Sequence, residues 1–120
     1  MAKITILHNP RCSKSRATIQ LLEDHGVQPE IIEYLKTPPT PEQLSSILQR
    51  LNRSPRDCIR YKEQASTTLK LNNPELSDTE LIQLMCKHPS VIERPIVYTN
   101  NKAVIGRPPE NVLHLLERSK

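Results

Sequence analysis

The chain has 120 residues and a formal charge of +4, with 17 Lys and Arg against 13 Asp and Glu. That length fits one domain, and because Phe and Trp are absent its core must be built from Leu, Ile and Val. Basic and acidic side chains are interspersed, with no long basic run and no basic-aromatic alternation, which argues against a nucleic-acid surface and suits a small anionic ligand.

No segment approaches the length needed to span a bilayer, and the apolar run at residues 4–7 is too short for a signal peptide, so the chain reads as cytoplasmic. Cys12, Cys58 and Cys86 are odd in number and irregularly spaced. They fit neither a disulfide framework nor a zinc site, and no metal is expected.

Residues 3–7, with Ile4, Thr5 and Ile6 closed off by Asn9-Pro10, predict a first strand. Ala17, Ile19, Leu21 and Leu22 predict a helix over 14–25, ended by Gly26 in a left-handed cap, which puts Cys12 at or just before the helix N-terminus. Residues 30–35 read as a second strand, parallel to the first through a right-handed crossover. Thr40 as N-cap and Pro41 behind it open a helix to about Asn52, with Leu44, Ile47, Leu48 and Leu51 as its apolar face. Residues 54–73 read as short helices and loops, with a helical patch at 56–61 and a polar stretch at 63–68.

Ser77-Asp78-Thr79-Glu80 is a capping box, so a helix runs from there to about His88. Residues 95–98 and 102–106 around Asn100-Asn101 predict an antiparallel hairpin. Pro108-Pro109 opens a last helix that faces inward through Val112, Leu113, Leu115 and Leu116. The order predicts an α/β fold of thioredoxin-like type: a mixed four-stranded sheet flanked by helices, one domain over 1–120 with a helical insert at about 40–90.

The chemistry centres on Cys12. A thiol is a nucleophile only as its thiolate, and a helix N-terminus with adjacent cations lowers its pKa from about 8.5. Arg11, Lys14 and Arg16 supply cations, and the first-turn N–H groups supply anion donors. The bland alternative is a buried filler cysteine beside solvated basic side chains. Two other assignments fail on spacing: a Cys-x5-Arg phosphate loop needs arginine where Thr18 stands, and a Cys-x-x-Cys dithiol needs cysteine where Ser15 stands. Cys58 and Cys86 sit in helical patterns with apolar neighbours and read as buried and unreactive. His25, His88 and His114 are explained by helix ends or solvation.

The segments His8-Asn9-Pro10-x-Cys12-x-x-Ser15-Arg16, Tyr34-Leu35-x-Thr37-Pro38-Pro39, His88-Pro89, Glu93-Arg94-Pro95-Ile96-Val97 and Gly106-Arg107-Pro108 resemble the glutaredoxin-coupled arsenate reductase family. The likeness covers nearly the whole chain, and it is greatest to a subgroup with Arg-Cys-Ser-Lys-Ser around the thiol. It implies that Cys12 attacks arsenate or a similar oxyanion held by Arg60, Arg94 and Arg107. It further implies that His8, Ser15 and Arg16 stabilise the thiolate and that Pro95 is a cis-proline facing the thiol. Glutathione would be the co-substrate and glutaredoxin the partner of a monomer with no bound cofactor.

Arginine suits the task because its planar fork binds an oxyanion at two points, which lysine cannot do. Each arginine also has a bland reading as a solvated side chain, strongest for Arg60 in the irregular middle. Two other functions remain open: an Spx-like module that binds RNA polymerase, against which Ser15 counts because that switch uses Cys-x-x-Cys, and a general glutathione-linked thiol oxidoreductase.

Overall fold

The computed structural model describes residues 3–100, 102–113 and 115. The chain divides into two compact units, one formed by residues 1–37 and 94–120 and the other by residues 38–93.

The first unit carries a four-stranded sheet. Strands β1 (Thr5–His8), β2 (Glu30–Glu33), β3 (Ile96–Tyr98) and β4 (Ala103–Ile105) lie in the order β2-β1-β3-β4. β1 is parallel to β2 and antiparallel to β3, and β3 and β4 form the expected hairpin. β1 runs one residue further than the sequence pattern suggests, because His8 still pairs with Glu33 before the Asn9-Pro10 turn breaks the ladder. β2 stops at Glu33 instead of reaching Leu35: the N–H groups of Lys36 and Thr37 both turn back onto the Glu33 carbonyl.

Helix α1 (Ser13–Asp24) ends as its glycine suggests. Gly26 sits at φ +79°, and the Val27 N–H closes onto the Leu22 carbonyl at 2.9 Å. Its buried stripe differs from the hydrophobic pattern. Ser15, Thr18 and Leu22 are buried, while Ala17 faces solvent. Two hydroxyls can occupy that stripe because each is hydrogen-bonded, Ser15 Oγ to His8 and Thr18 Oγ1 to the Lys14 carbonyl. Below them Leu22 joins Ile6, Val97, Val112 and Leu115 in an aliphatic core, flanked by Ile4, Ile19, Leu21, Val27 and Val104. The segment after β4 is a 3-10 turn over Pro109–Val112. Of the inward face expected there, Val112 and Leu115 are buried and Leu113 is partly buried, whereas Leu116 lies outside the described residues, as does His114.

The second unit is helical. Helix α2 (Pro41–Leu51) opens on a reciprocal capping box between Thr40 and Gln43 and closes on Asn52 at φ 58°. Helix α3 (Gln64–Thr68) is short, and α4 (Asp78–Lys87) opens on the Ser77–Glu80 capping box. The middle consists of short helices and loops, as expected, with the longer helical piece in the polar stretch. Pro55–Cys58 forms only one 3-10 turn, because Ile59 leaves it to bridge Ile92, and the polar stretch instead forms α3. Arg56 ties this region together by donating to the carbonyls of Asn73 and Leu76.

Gly106, between β4 and the 3-10 turn, has no room for a side chain. A Cβ there would lie 2.7 Å from Thr18 Oγ1 and 2.9 Å from Pro95 Cγ, and the buried, bonded threonine and the rigid proline ring leave little scope to yield. Gly106→Ala is therefore expected to destabilise the protein by about 1–3 kcal/mol through overpacking, measurable as a lowered urea midpoint at unchanged slope.

Candidate active site

The site is built on the turn that joins β1 to α1. The Cys12 N–H donates to the Asn9 carbonyl at 2.9 Å, and the Arg11 N–H to Asn9 Oδ1 at 3.0 Å, so Asn9 folds the turn from both its backbone and its side chain. Cys12 is the N-cap residue of α1, with extended backbone and only 7% exposure. The Arg16 N–H bonds back to the Cys12 carbonyl as the first helical turn closes.

Burial is the largest influence on the Cys12 thiol and pushes its pKa up. It is outweighed, in descending order, by the backbone N–H of Ser15, the charge of Arg94, the N–H of Lys14 and the charge of Arg107, so the pKa falls below the ordinary value. The neutral thiol makes no capping hydrogen bond. The first-turn N–H groups act on the ionised form, which is the form that matters for a nucleophile.

Arg94 and Arg107 act on this thiol from the turns that precede β3 and follow β4. The Arg94–Pro95 peptide bond is cis, as is Arg107–Pro108, which nothing in the sequence reading suggested. The Gly106 N–H donates to the Pro95 carbonyl at 2.9 Å, drawing the two arginine-bearing turns together. Arg107 Nε donates to the Arg94 carbonyl at 2.6 Å, and its terminal NH2 group approaches Cys12 Sγ at 3.6 Å. The same guanidinium thus meets the thiol and braces the neighbouring turn.

Of the expected thiolate-stabilising residues His8, Ser15 and Arg16, only Ser15 acts on the thiol, and the other two hold the turn around it. His8 Nδ1 lies 2.6 Å from Ser15 Oγ, both groups being buried. The Asn9 N–H donates to the same oxygen, which lets the serine hydroxyl donate to an unprotonated Nδ1. Burial, opposed by Glu33 and reinforced by Arg16, lowers the His8 pKa, so the ring is neutral near pH 7. Ser15 acts on Cys12 through its N–H, while its hydroxyl is spent on His8 and Asn9. Arg16 donates to the Pro10 carbonyl at 2.7 Å and clamps the turn.

Arg60 belongs to the helical unit. Its guanidinium donates to the Ser90 carbonyl at 3.1 Å and pairs with Glu63 at 3.2 Å. Cys58 is fully buried in that unit, its thiol pushed up to about 11 mainly by burial, and Cys86 is also raised. Both stay protonated near neutrality, leaving Cys12 as the reactive thiol.

Sequence reading missed Thr18, Gly106 and Asn111. Gly106 had a signal, being one of two glycines in the chain and directly preceding Arg107-Pro108. Thr18 was weighed only for the arginine it is not. Asn111 had no local signal at all.

A thiol of lowered pKa at a helix N-terminus, approached by an arginine beside a cis-proline turn in a mixed four-stranded sheet, places the chain in the thioredoxin-like class of folds. Residues 7–115 match the ArsC family, and the chain belongs to it. An arsenate reductase of Neisseria meningitidis serogroup A is 45% identical over 113 residues, spanning 93% of this chain and 97% of that one. The uncharacterized protein YfgD of Escherichia coli is 47% identical over 115 residues, spanning 95% of this chain and 97% of its own length. The solved structure of an arsenate reductase from Vibrio cholerae superposes with a TM-score of 0.91 at 46% identity, covering 94% of this chain and 97% of that one.

Because its folded-state pKa is depressed, Cys12 should be alkylated by iodoacetamide with a midpoint below that of an ordinary thiol, while the fully buried Cys58 resists alkylation in the folded protein. Arg94→Gln should move the Cys12 midpoint upward. For His8 the lowered pKa means that the unfolded chain takes up the proton first. Its contribution to stability is full above the ordinary pKa of 6.5 and is lost as the pH falls below it. Thermal melts across that window should show this loss in the wild type and a flatter profile in His8→Gln.

Proposed function

We propose that this protein reduces arsenate to arsenite, with Cys12 as nucleophile. The observation that carries the reading is the 3.6 Å approach of Arg107 to a buried, low-pKa thiol, with the charge of Arg94 acting on the same sulfur. The relatives named as arsenate reductases support it.

Cys12 thiolate attacks arsenic, an S–As bond forms, and one oxygen leaves as water after protonation. Arsenic is still pentavalent at this point. A glutathione thiol then adds to the adduct and displaces a second water. Glutaredoxin thiolate attacks the glutathione sulfur, forming a mixed disulfide and leaving the electron pair on arsenic, which becomes trivalent. Hydrolysis of the remaining S–As bond releases arsenite and Cys12. The balance is one arsenate and two thiols in, and one arsenite, one disulfide and one water out.

Arg94 and Arg107 hold the oxyanion and neutralise charge during attack, because a forked donor follows the oxygens as the geometry at arsenic changes. Arg60 is the third arginine of the proposed set, braced by Ser90 and Glu63 within its own unit. Glutathione and glutaredoxin as reductants, a monomeric state and a cytoplasmic setting complete the proposal. Among the described residues no helix is long and apolar enough to cross a membrane.

Steady-state arsenate reduction with glutathione and glutaredoxin tests the reading. Cys12→Ser should abolish turnover, and retained turnover would remove the nucleophile from the scheme. Arg107→Ala should lower kcat/KM by about 10- to 100-fold, the worth of a charge-assisted hydrogen bond, and Arg107→Lys should recover only part of it. If the arginine variants leave thiol turnover intact on a non-arsenical disulfide while arsenate is not reduced by the wild type, the general oxidoreductase reading takes over.

A further inference from the structure

We infer that Asn111 is a positioning residue, which holds the Arg107 guanidinium over Cys12 by tying down the backbone on either side of Gly106. Its Nδ2 donates to the Ile105 carbonyl at 3.2 Å and to the Arg107 carbonyl at 3.1 Å, so both amide hydrogens are used on the same short segment. The Asn111 N–H itself donates to the Pro108 carbonyl at 3.0 Å, which fixes the amide's own base.

The reason lies in how Arg107 is held. Its head group is fixed at two points, the Arg94 carbonyl and Cys12 Sγ, but a long side chain keeps that aim only if its Cα is fixed as well. On one side of the segment the Gly106 N–H reaches the Pro95 carbonyl. β4 ends at Ile105, so the two carbonyls that Asn111 binds lie at the last residue of the strand and just beyond it. Asn111 supplies the missing donors from the 3-10 turn. Neither bond belongs to a helical pattern of its own, since the donor is a side chain reaching back four and six residues. The amide NH2 carries two hydrogens for two carbonyls, whereas aspartate has the same shape but none.

The inference rests on the reading of Arg107 as a group acting on the Cys12 sulfur and its anion, and the experiment needs no arsenate. Alkylation of Cys12 by iodoacetamide, followed by mass spectrometry across a pH series, is measured for the wild type, Asn111→Leu, Asn111→Ser, Arg107→Ala and the Asn111→Leu/Arg107→Ala double variant. Thermal melts confirm that each is folded. Asn111→Leu and Asn111→Ser should each cut the alkylation rate near neutral pH by roughly threefold or more as the thiol pKa rises. In the Arg107→Ala background, Asn111→Leu should add nothing, because a residue acting through Arg107 has no path to the thiol without it. An unchanged pH profile in a folded Asn111 variant overturns the inference, and so does an equal effect of Asn111→Leu with and without Arg107. Should the leucine variant not fold, the smaller serine variant alone decides between the two profiles. Failure of arsenate turnover would leave this titration untouched, so the two readings fall separately.

Discussion

The site depends on the close approach of Gly106 to Thr18 and Pro95. At that point the end of β4, the second turn of α1 and the cis-proline turn meet with no space for a methyl group. The approach puts the residue after Gly106 and the residue before Pro95 beside the cap of α1, so Arg94 and Arg107 act on Cys12 although 82 and 95 positions separate them from it in the chain. Thr18 sets the spacing from the helix side and is itself held by the Lys14 carbonyl. A substitution in this contact would act on the chemistry by moving donors, without touching the sulfur.

The electrostatics are a contest that burial would win if left alone. An apolar pocket favours the neutral thiol, and the protein answers with two backbone donors and two arginine charges aimed at one atom. α1 has no acidic residue in its first turn, so no carboxylate of that turn competes for those donors. His8 is neutral, which keeps it from contributing a charge. Its part is to hold Ser15, and with it the N–H that ranks first among the influences lowering the thiol pKa.

The parallel β1–β2 pair, the hairpin, the Thr40 N-cap and the Ser77–Glu80 capping box were legible because each rests on local chemistry: β-branched runs, turn residues, and a hydroxyl placed just ahead of a helical pattern; the β1–β3 pairing and the Thr40–Gln43 reciprocity were not read. Cys12 at a helix N-terminus was legible for the same reason. The buried stripe of α1 was misread at Ala17, Ser15 and Thr18, since hydropathy does not register a hydroxyl that is satisfied internally. The middle is short helices and loops as read, but the patch at 56–61 is shorter than its pattern because a long-range bridge, Ile59 to Ile92, follows Cys58 directly. The braces escaped entirely. Asn111 bonds to carbonyls and Gly106 is defined by what surrounds it, and neither property is written in a residue's own side chain.

Ser15 shows why the site has one thiol. In a dithiol protein the residue three beyond the nucleophile resolves the bond that the nucleophile makes, which requires access to it. Here that position is completely buried, and its hydroxyl is engaged by His8 and the Asn9 N–H. A cysteine there would lose the short contact to His8 and the oxygen that accepts from the Asn9 N–H in the β1–α1 turn. Cys58 offers no substitute, being fully buried and protonated until about pH 11. Reduction of arsenate takes two electrons, and a single thiol that returns unchanged at the end of the cycle supplies none of them. The proposed reaction therefore needs both reducing thiols from outside the chain, which makes the exposed face around Cys12 a place where a second sulfur must reach arsenic.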